Sequence, residues 1–294
     1  MGSLQARLQA RLQRWNFGSA VISIFADYLG LALLTPALPF YLDNLGFSDD
    51  KIAVWNGVIT TSQFSAIIIG NLVWGRMCDR VGSQRSLLYA MIGDSIFFAL
   101  SAAAPFGLEG HGCVNKGSGE FSSGETSGCG RLIAAITIAI VRAGAGFFTP
   151  LVSALLFIFD RADSPQAVVK GMGDYALATI SAYTMGGVAV GLLYESVGWA
   201  WLNGSSAAVT ALAALYVATC SAPPLIKGPR PKPKGLMAAL RTADFLTHAT
   251  TAFSCGYIMN ASTFMFVIML KEVFEWSARA TVSGPQVDRQ VMRS

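Results

Sequence analysis

Seven long apolar runs divide this chain and leave it few folds to choose from. They fall at about 17–42, 52–77, 87–106, 132–159, 171–194, 200–220 and 245–270. A hydrocarbon core about 30 Å thick needs ~20 apolar residues when each rises about 1.5 Å along a helix. In lipid only helices and closed barrels satisfy their own backbone, and runs of this length are helical. Charged residues are 13% of the 294, about half the share in a soluble domain, and 53% are hydrophobic. The expected fold class is all-α, a polytopic helical membrane protein.

Ionisable residues inside such runs are expensive and need a cavity or a partner. Asp27 lies ten residues into the first run, roughly 15 Å deep, ahead of Pro36 and Pro39. It either faces a cavity as a titratable group or caps a break near the prolines. Arg142 lies at a matching depth in the fourth run, and the two form a candidate pair across the midplane. Asp94 is expected about two turns into the third run, where it relays protons or pairs with Arg80 or Arg85. Between the second and third runs comes a charged turn, Asn71–Ser86, reading NLVWGRMCDRVGSQRS. Gly75 permits close helix approach and Gly82 permits the turn, while Asp79 at a helix C-terminus calls for a cation such as Arg80 or Arg85.

The spacing Gly75-x-x-x-Asp79-Arg80-x-Gly82-x-x-Arg85, with a span on each side, resembles the loop between the second and third spans of the major facilitator superfamily. The run DYLGLALLTPALPFYL, with Asp27, Pro36 and Pro39, is similar to the first span of vesicular amine transporters and drug:proton antiporters of that family. RAGAGFFTP, with Arg142 and Gly146, resembles the family's Arg-x-x-x-Gly motif in the fourth span. YTMGGVAVG, with Gly186, Gly187 and Gly191, loosely resembles the antiporter motif of the fifth span but lacks its defining proline. Gln63 stands where the vesicular amine transporters carry a lysine.

The resemblance implies a six-helix N-terminal transporter half, 17–220, made of two three-helix repeats, plus a seventh helix at 245–271. It also implies exchange of a small-molecule substrate, an organic cation or drug-like amine, for protons by alternating access. Asp27 would take cation or proton, Arg142 would tune it, Gln63 would line the same path, and the turn motif would gate. A uniporter, a carrier of anionic solutes with Arg142 on the anion, and a non-transporting truncated half are the alternatives. The chain stops soon after its seventh run, so a second copy or a complementary half is an expected partner beside the lipid bilayer.

Outside the runs lie a segment at 1–16 with Arg7, Arg11 and Arg14 at helical spacing, a basic Pro-rich linker at 221–244 and a polar tail at 272–294. The Gly/Ser-rich loop at 107–130 carries Cys113 and Cys129, which would bridge if it faces an oxidising compartment. Gly146, Gly186, Gly187 and Gly191 are candidate helix-packing positions. Asn203 opens a glycosylation sequon close to a membrane edge. The two histidines lie far apart, so no metal-ligand spacing emerges and no cofactor is expected. No nucleophile–base set or phosphate loop marks an enzyme, and no basic patch marks a nucleic-acid partner.

Basic residues concentrate in alternate loops, which sets the N-terminus in the cytoplasm of a plasma or vesicle membrane. Single cysteines at Ser118 and Gly235 should therefore react with an impermeant thiol reagent from opposite sides. Labelling of both from one side would reverse the assignment.

Overall fold

The computed structural model describes residues 17–109 and 128–220, all within one compact unit. Segment 1–16, the linker 221–244, the seventh span 245–271, the tail 272–294, Cys113 and the side chain of Cys129 lie outside the described residues. The described residues are helical: α1 Gly18–Leu34, α2 Ala37–Asn44, α3 Asp49–Val81, α4 Ser83–Glu109, α5 Gly128–Phe147 and α6 Leu151–Arg161. The run Pro165–Cys220 is interrupted at Gly198, and its membrane-length segments are α7 Pro165–Tyr194 and α8 Ser196–Thr219. Among the described residues five helical stretches are long and apolar enough to cross a membrane, and the bent pair α1 and α2, taken as one span, makes a sixth. The protein is an integral, multi-pass helical membrane protein.

Local chemistry sets the helix ends. Asp49 and Asp50 sit in the first turn of α3, where negative charge favours the dipole. Gly82 ends α3 at φ 90°, a conformation that side chains disfavour. Gly198 makes the same reversal between α7 and α8 at φ 71°. Ser164 caps α7, its hydroxyl accepting from the Ala167 amide at 3.2 Å, with Pro165 following in the first turn. Two boundaries differ from expectation. α4 begins at Ser83, directly after the Gly82 reversal, rather than near 87, and helix reaches into both ends of the 107–130 loop, running through Pro105 and Gly107 to Glu109 and starting again at Gly128.

Two spans are broken by proline. α1 and α2 meet at a 42° bend before Pro36. α5 and α6 part at Phe148, Thr149 and Pro150, whose ring nitrogen cannot donate. The break leaves the Phe147 carbonyl without its helical partner, and the Trp74 indole donates to it at 2.7 Å.

Glycines let these helices close on one another. A Cβ at Gly70 would lie 2.2 Å from the Phe147 carbonyl oxygen, and one at Gly146 would lie 2.4 Å from the Gln63 carbonyl oxygen, so α3 and α5 meet backbone to backbone. α1 meets α7 at Ala32 and Gly186, where a Cβ would lie 2.5 Å from the Ala32 side chain. α4 meets α8 through Ser95, whose hydroxyl donates to the Ala207 carbonyl at 2.9 Å, and through the Trp199 indole, which donates to the Ser101 carbonyl at 3.2 Å. The pairings first–fifth, second–fourth and third–sixth exchange among themselves when the first three spans are interchanged with the last three. Both broken spans and both glycine reversals also occupy corresponding places, as in a fold built from two related repeats.

Two apolar clusters fill the interior. One gathers Leu34, Leu38, Tyr41, Ile59, Phe98, Ile138 and Trp199; the other gathers Phe17, Ile24, Leu87, Met91, Phe157 and Val217. Along α1 the second cluster ends at Ala26 and the first resumes at Leu33; along α4 the gap runs from Met91 to Phe98. Asp27 and Asp94 fall in these gaps. Outward, Ile68, Ile69, Leu72 and Val73 on α3 stay exposed, a face suited to lipid.

Gly70→Ala should cost about 1–3 kcal/mol, as overpacking does, and lower the thermal midpoint of the solubilised protein. Gly57→Ala, where an added Cβ meets nothing within 4 Å, should leave it unchanged. Equal midpoints for the two variants would contradict the close packing of α3 on α5.

Candidate functional site

Between the apolar clusters three charged side chains lie buried. Asp27 on α1 is 8% exposed, Asp94 on α4 is 1% exposed and Arg142 on α5 is 2% exposed. Each is surrounded by helices whose own backbone groups are already paired, so side chains must answer these charges. Thr149 does so for Asp27, its hydroxyl donating to Oδ2 at 3.0 Å. Thr149 stands in the proline break between α5 and α6, outside helical pairing, which is what frees it to reach α1.

Asp94 faces Asp27 within hydrogen-bonding reach, and the field of Arg142 acts on both carboxyl groups. Yet Asp94 Oδ1 and Oδ2 have no hydrogen-bond donor, and Arg142 Nε and Nη1 have no acceptor. A buried site with this many unanswered polar atoms differs from a finished structural ion pair, in which lone pairs and protons are matched.

Tyrosines wall the site on one side. The Tyr28 and Tyr183 rings meet edge to face at 5.4 Å, joining α1 to α7. The Tyr28 and Tyr175 hydroxyls interact, and the field of Asp27 reaches all three rings. Tyr183 is 41% exposed, so this wall opens to the surroundings. Next to Asp94 and Thr149 in the chain, a phenylalanine stack, Phe97 on Phe148 at 5.6 Å, is seated where Gly93 and Gly144 leave room.

Asp27 and Arg142 therefore lie in one site, but Thr149 rather than the guanidinium holds Asp27. Asp94 joins them instead of the basic turn. Because α4 begins at Ser83, Asp94 sits roughly 16 Å along its helix, deeper than its place in the apolar run suggests. Gln63 is buried on α3 against Gly146. Gly187 has open space about its Cα, and Gly191 is buried on α7. Thr149 and the tyrosines were not singled out from sequence. A signal existed for two of them: Tyr175 and Tyr183 are eight residues apart, about two helical turns, on one face.

The turn motif occupies a different part of the molecule. Asp79, Arg80 and Arg85 are exposed around Gly82, and Gly75 meets Val152 at an ordinary 3.8 Å. Beneath the turn a buried polar cluster ties three helices: the Ser86 and Ser153 hydroxyls lie 2.9 Å apart, and the Cys78 thiol donates to Ser153 at 3.6 Å. Arg161, the last residue of α6, is buried. Its guanidinium lies 3.5 Å over the Phe157 ring and donates to Gln84 Oε1 at 3.1 Å, which ties the end of α6 to the start of α4. Asn203 is buried too, its amide donating to the Trp199 carbonyl at 2.9 Å, so the sequon is not presented for glycosylation.

The family model of the Major Facilitator Superfamily matches residues 20–287. The multidrug resistance protein MdtG of Proteus mirabilis is 29% identical over 96 residues, 32% of this chain and 24% of that protein. The staphyloferrin B transporter of Staphylococcus aureus is 29% identical over 90 residues, 30% of this chain and 22% of that protein. MdtG of a Rahnella species is 30% identical over 90 residues, with the same shares. The matched stretches thus span about a quarter of the length of these relatives. No solved structure matches. With a family match over most of its length and a fold of paired, proline-broken apolar spans, the chain belongs to the Major Facilitator Superfamily.

Proposed function

We propose that this chain is a transporter that exchanges an organic cation or drug-like amine for protons by alternating access. The observation that carries the reading is the charge balance of the buried site. Two carboxyl groups face one guanidinium, so the fully ionised site holds one net negative charge, and a buried negative charge attracts either a proton or a cation. Tyr28, Tyr175 and Tyr183 offer π faces beside it, which favours an organic cation over a small hydrated one. The multidrug resistance proteins among the relatives point the same way.

In this mechanism Asp27 takes the proton or the cation. Thr149 keeps Asp27 oriented, and Arg142 limits how much negative charge the site carries. The turn of Gly75, Asp79, Arg80, Gly82 and Arg85 acts as the latch of one closed state, and the chain's N-terminus lies in the cytoplasm. An anionic solute is the second reading, because the Arg142 Nε and Nη1 donors have no acceptor and could donate to one. The excess carboxylate disfavours it, since an anion would meet two like charges for one opposite.

The test is uptake of tetraphenylphosphonium by the full chain in lipid vesicles, with and without a pH gradient. The wild type should respond to the gradient. Asp27→Asn should abolish that response while the protein remains in the membrane, because the amide keeps the shape and loses the charge. Arg142→Lys should impair it, since an ammonium cannot present a planar fork. Tyr183→Ala should weaken cation binding roughly tenfold, and Tyr183→Phe should retain most of it. Wild-type gradient dependence in Asp27→Asn would make the carboxyl structural. Gradient-driven uptake of citrate in place of the cation would establish the anionic reading.

A further inference from the structure

Asp94 is the group that the exchange reading leaves without a task. It is more deeply buried than Asp27, it has no donor of its own, and it lies within hydrogen-bonding reach of Asp27. A carboxylate offers only lone pairs, so two bare carboxylates at this separation repel and cannot bond. One proton between them turns the repulsion into a charge-assisted hydrogen bond. Arg142 cannot remove that need. Among the described residues Arg142 closes no ion pair on either carboxylate, and its Nε and Nη1 remain without acceptors.

The charges facing the pair bound what it holds. α1 supplies Asp27 and Tyr28, α4 supplies Asp94, α5 supplies Arg142, and α7 supplies Tyr175 and Tyr183. Thr149 from the α5–α6 break is neutral. Among the described residues, the buried polar side chains of α3 and α8, Asn56, Gln63, Asn203, Ser206 and Thr210, are neutral as well. With one proton bound, Asp27, Asp94 and Arg142 sum to zero. Without it they sum to one negative charge.

We propose that Asp27 and Asp94 form one proton site, holding a single proton between them beside Arg142, and that one monovalent organic cation displaces this proton. The second half rests on the exchange reading; the first does not. In the exchange the carboxyl O–H bond breaks, its electron pair stays on the oxygen, the proton leaves to water in the open cavity, and the bound cation restores neutrality. Asp94 is then a second coupling residue that fixes the exchange at one proton for one cation.

Infrared difference spectroscopy on the full chain in lipid nanodiscs tests this through the carbonyl band of protonated carboxyl groups. At neutral pH the wild type should show the band of one buried protonated carboxyl. Asp94→Asn and Asp27→Asn should each lose it, because the remaining carboxylate then has Arg142 to itself and stays ionised. Asp94→Glu should keep it, which separates loss of the proton from loss of the fold. Survival of the band in Asp94→Asn, or its absence from the wild type, would overturn the shared proton. Saturating tetraphenylphosphonium should remove the band from the wild type. A band that persists with the cation bound would overturn the displacement and leave the shared proton standing.

Discussion

A buried guanidinium cannot shed its charge as a carboxyl can, and Arg142 imposes that condition on everything around it. In the middle of an apolar bundle it must be answered by anions, and two are brought to it from different helices, Asp27 on α1 and Asp94 on α4. The three spans that carry these groups also form the interior of the fold. The apolar clusters above and below the charges are built largely from the same helices. Packing and charge are thus mutually dependent: the clusters hold the charges at close range, and the charges prevent the clusters from merging into one continuous core.

The broken helix serves both. Pro150 interrupts the fourth span, and the freed groups are used rather than left bare. The Phe147 carbonyl goes to Trp74, and the Thr149 hydroxyl goes to Asp27. The break therefore fixes α3 against α5 on one face and positions a carboxyl on the other. Backbone contact at Gly70 and Gly146 brings α3 close enough for the Trp74 bond to form.

Much of this was legible in the sequence, for a physical reason. A charge in an apolar run is conspicuous because lipid penalises it, so Asp27 and Arg142 declare themselves, and the length of the runs declares the fold class. Proline and glycine mark the breaks and reversals in the same way. Asp94 was legible as a residue but not as a neighbour, since its depth depends on α4 starting at Ser83, before the apolar run does. Tyr28, Tyr175 and Tyr183 were hidden because a tyrosine in an apolar run carries no penalty to betray it. The close contacts at Gly70, Gly93 and Gly144 were hidden because a glycine's sequence neighbours do not reveal what packs over its missing side chain. Helix ends followed turn residues such as Ser164 and Gly82 more closely than they followed hydropathy.

The dependence of the structure on the field between these buried charges, which do not close into an ion pair, is measured most directly by a double-mutant cycle between Arg142 and Asp94, read as thermal or denaturant stability of the full chain in detergent. Arg142→Gln alone should be strongly destabilising, by about 3–5 kcal/mol, because it leaves two carboxyl groups facing each other without a cation. Asp94→Asn placed in the same chain should recover a large part of that loss, giving a coupling well above the ~0.5 kcal/mol seen between independent sites. Simple additivity of the two substitutions would contradict the account, since it would mean that the guanidinium and the Asp94 carboxyl do not act on each other through their fields.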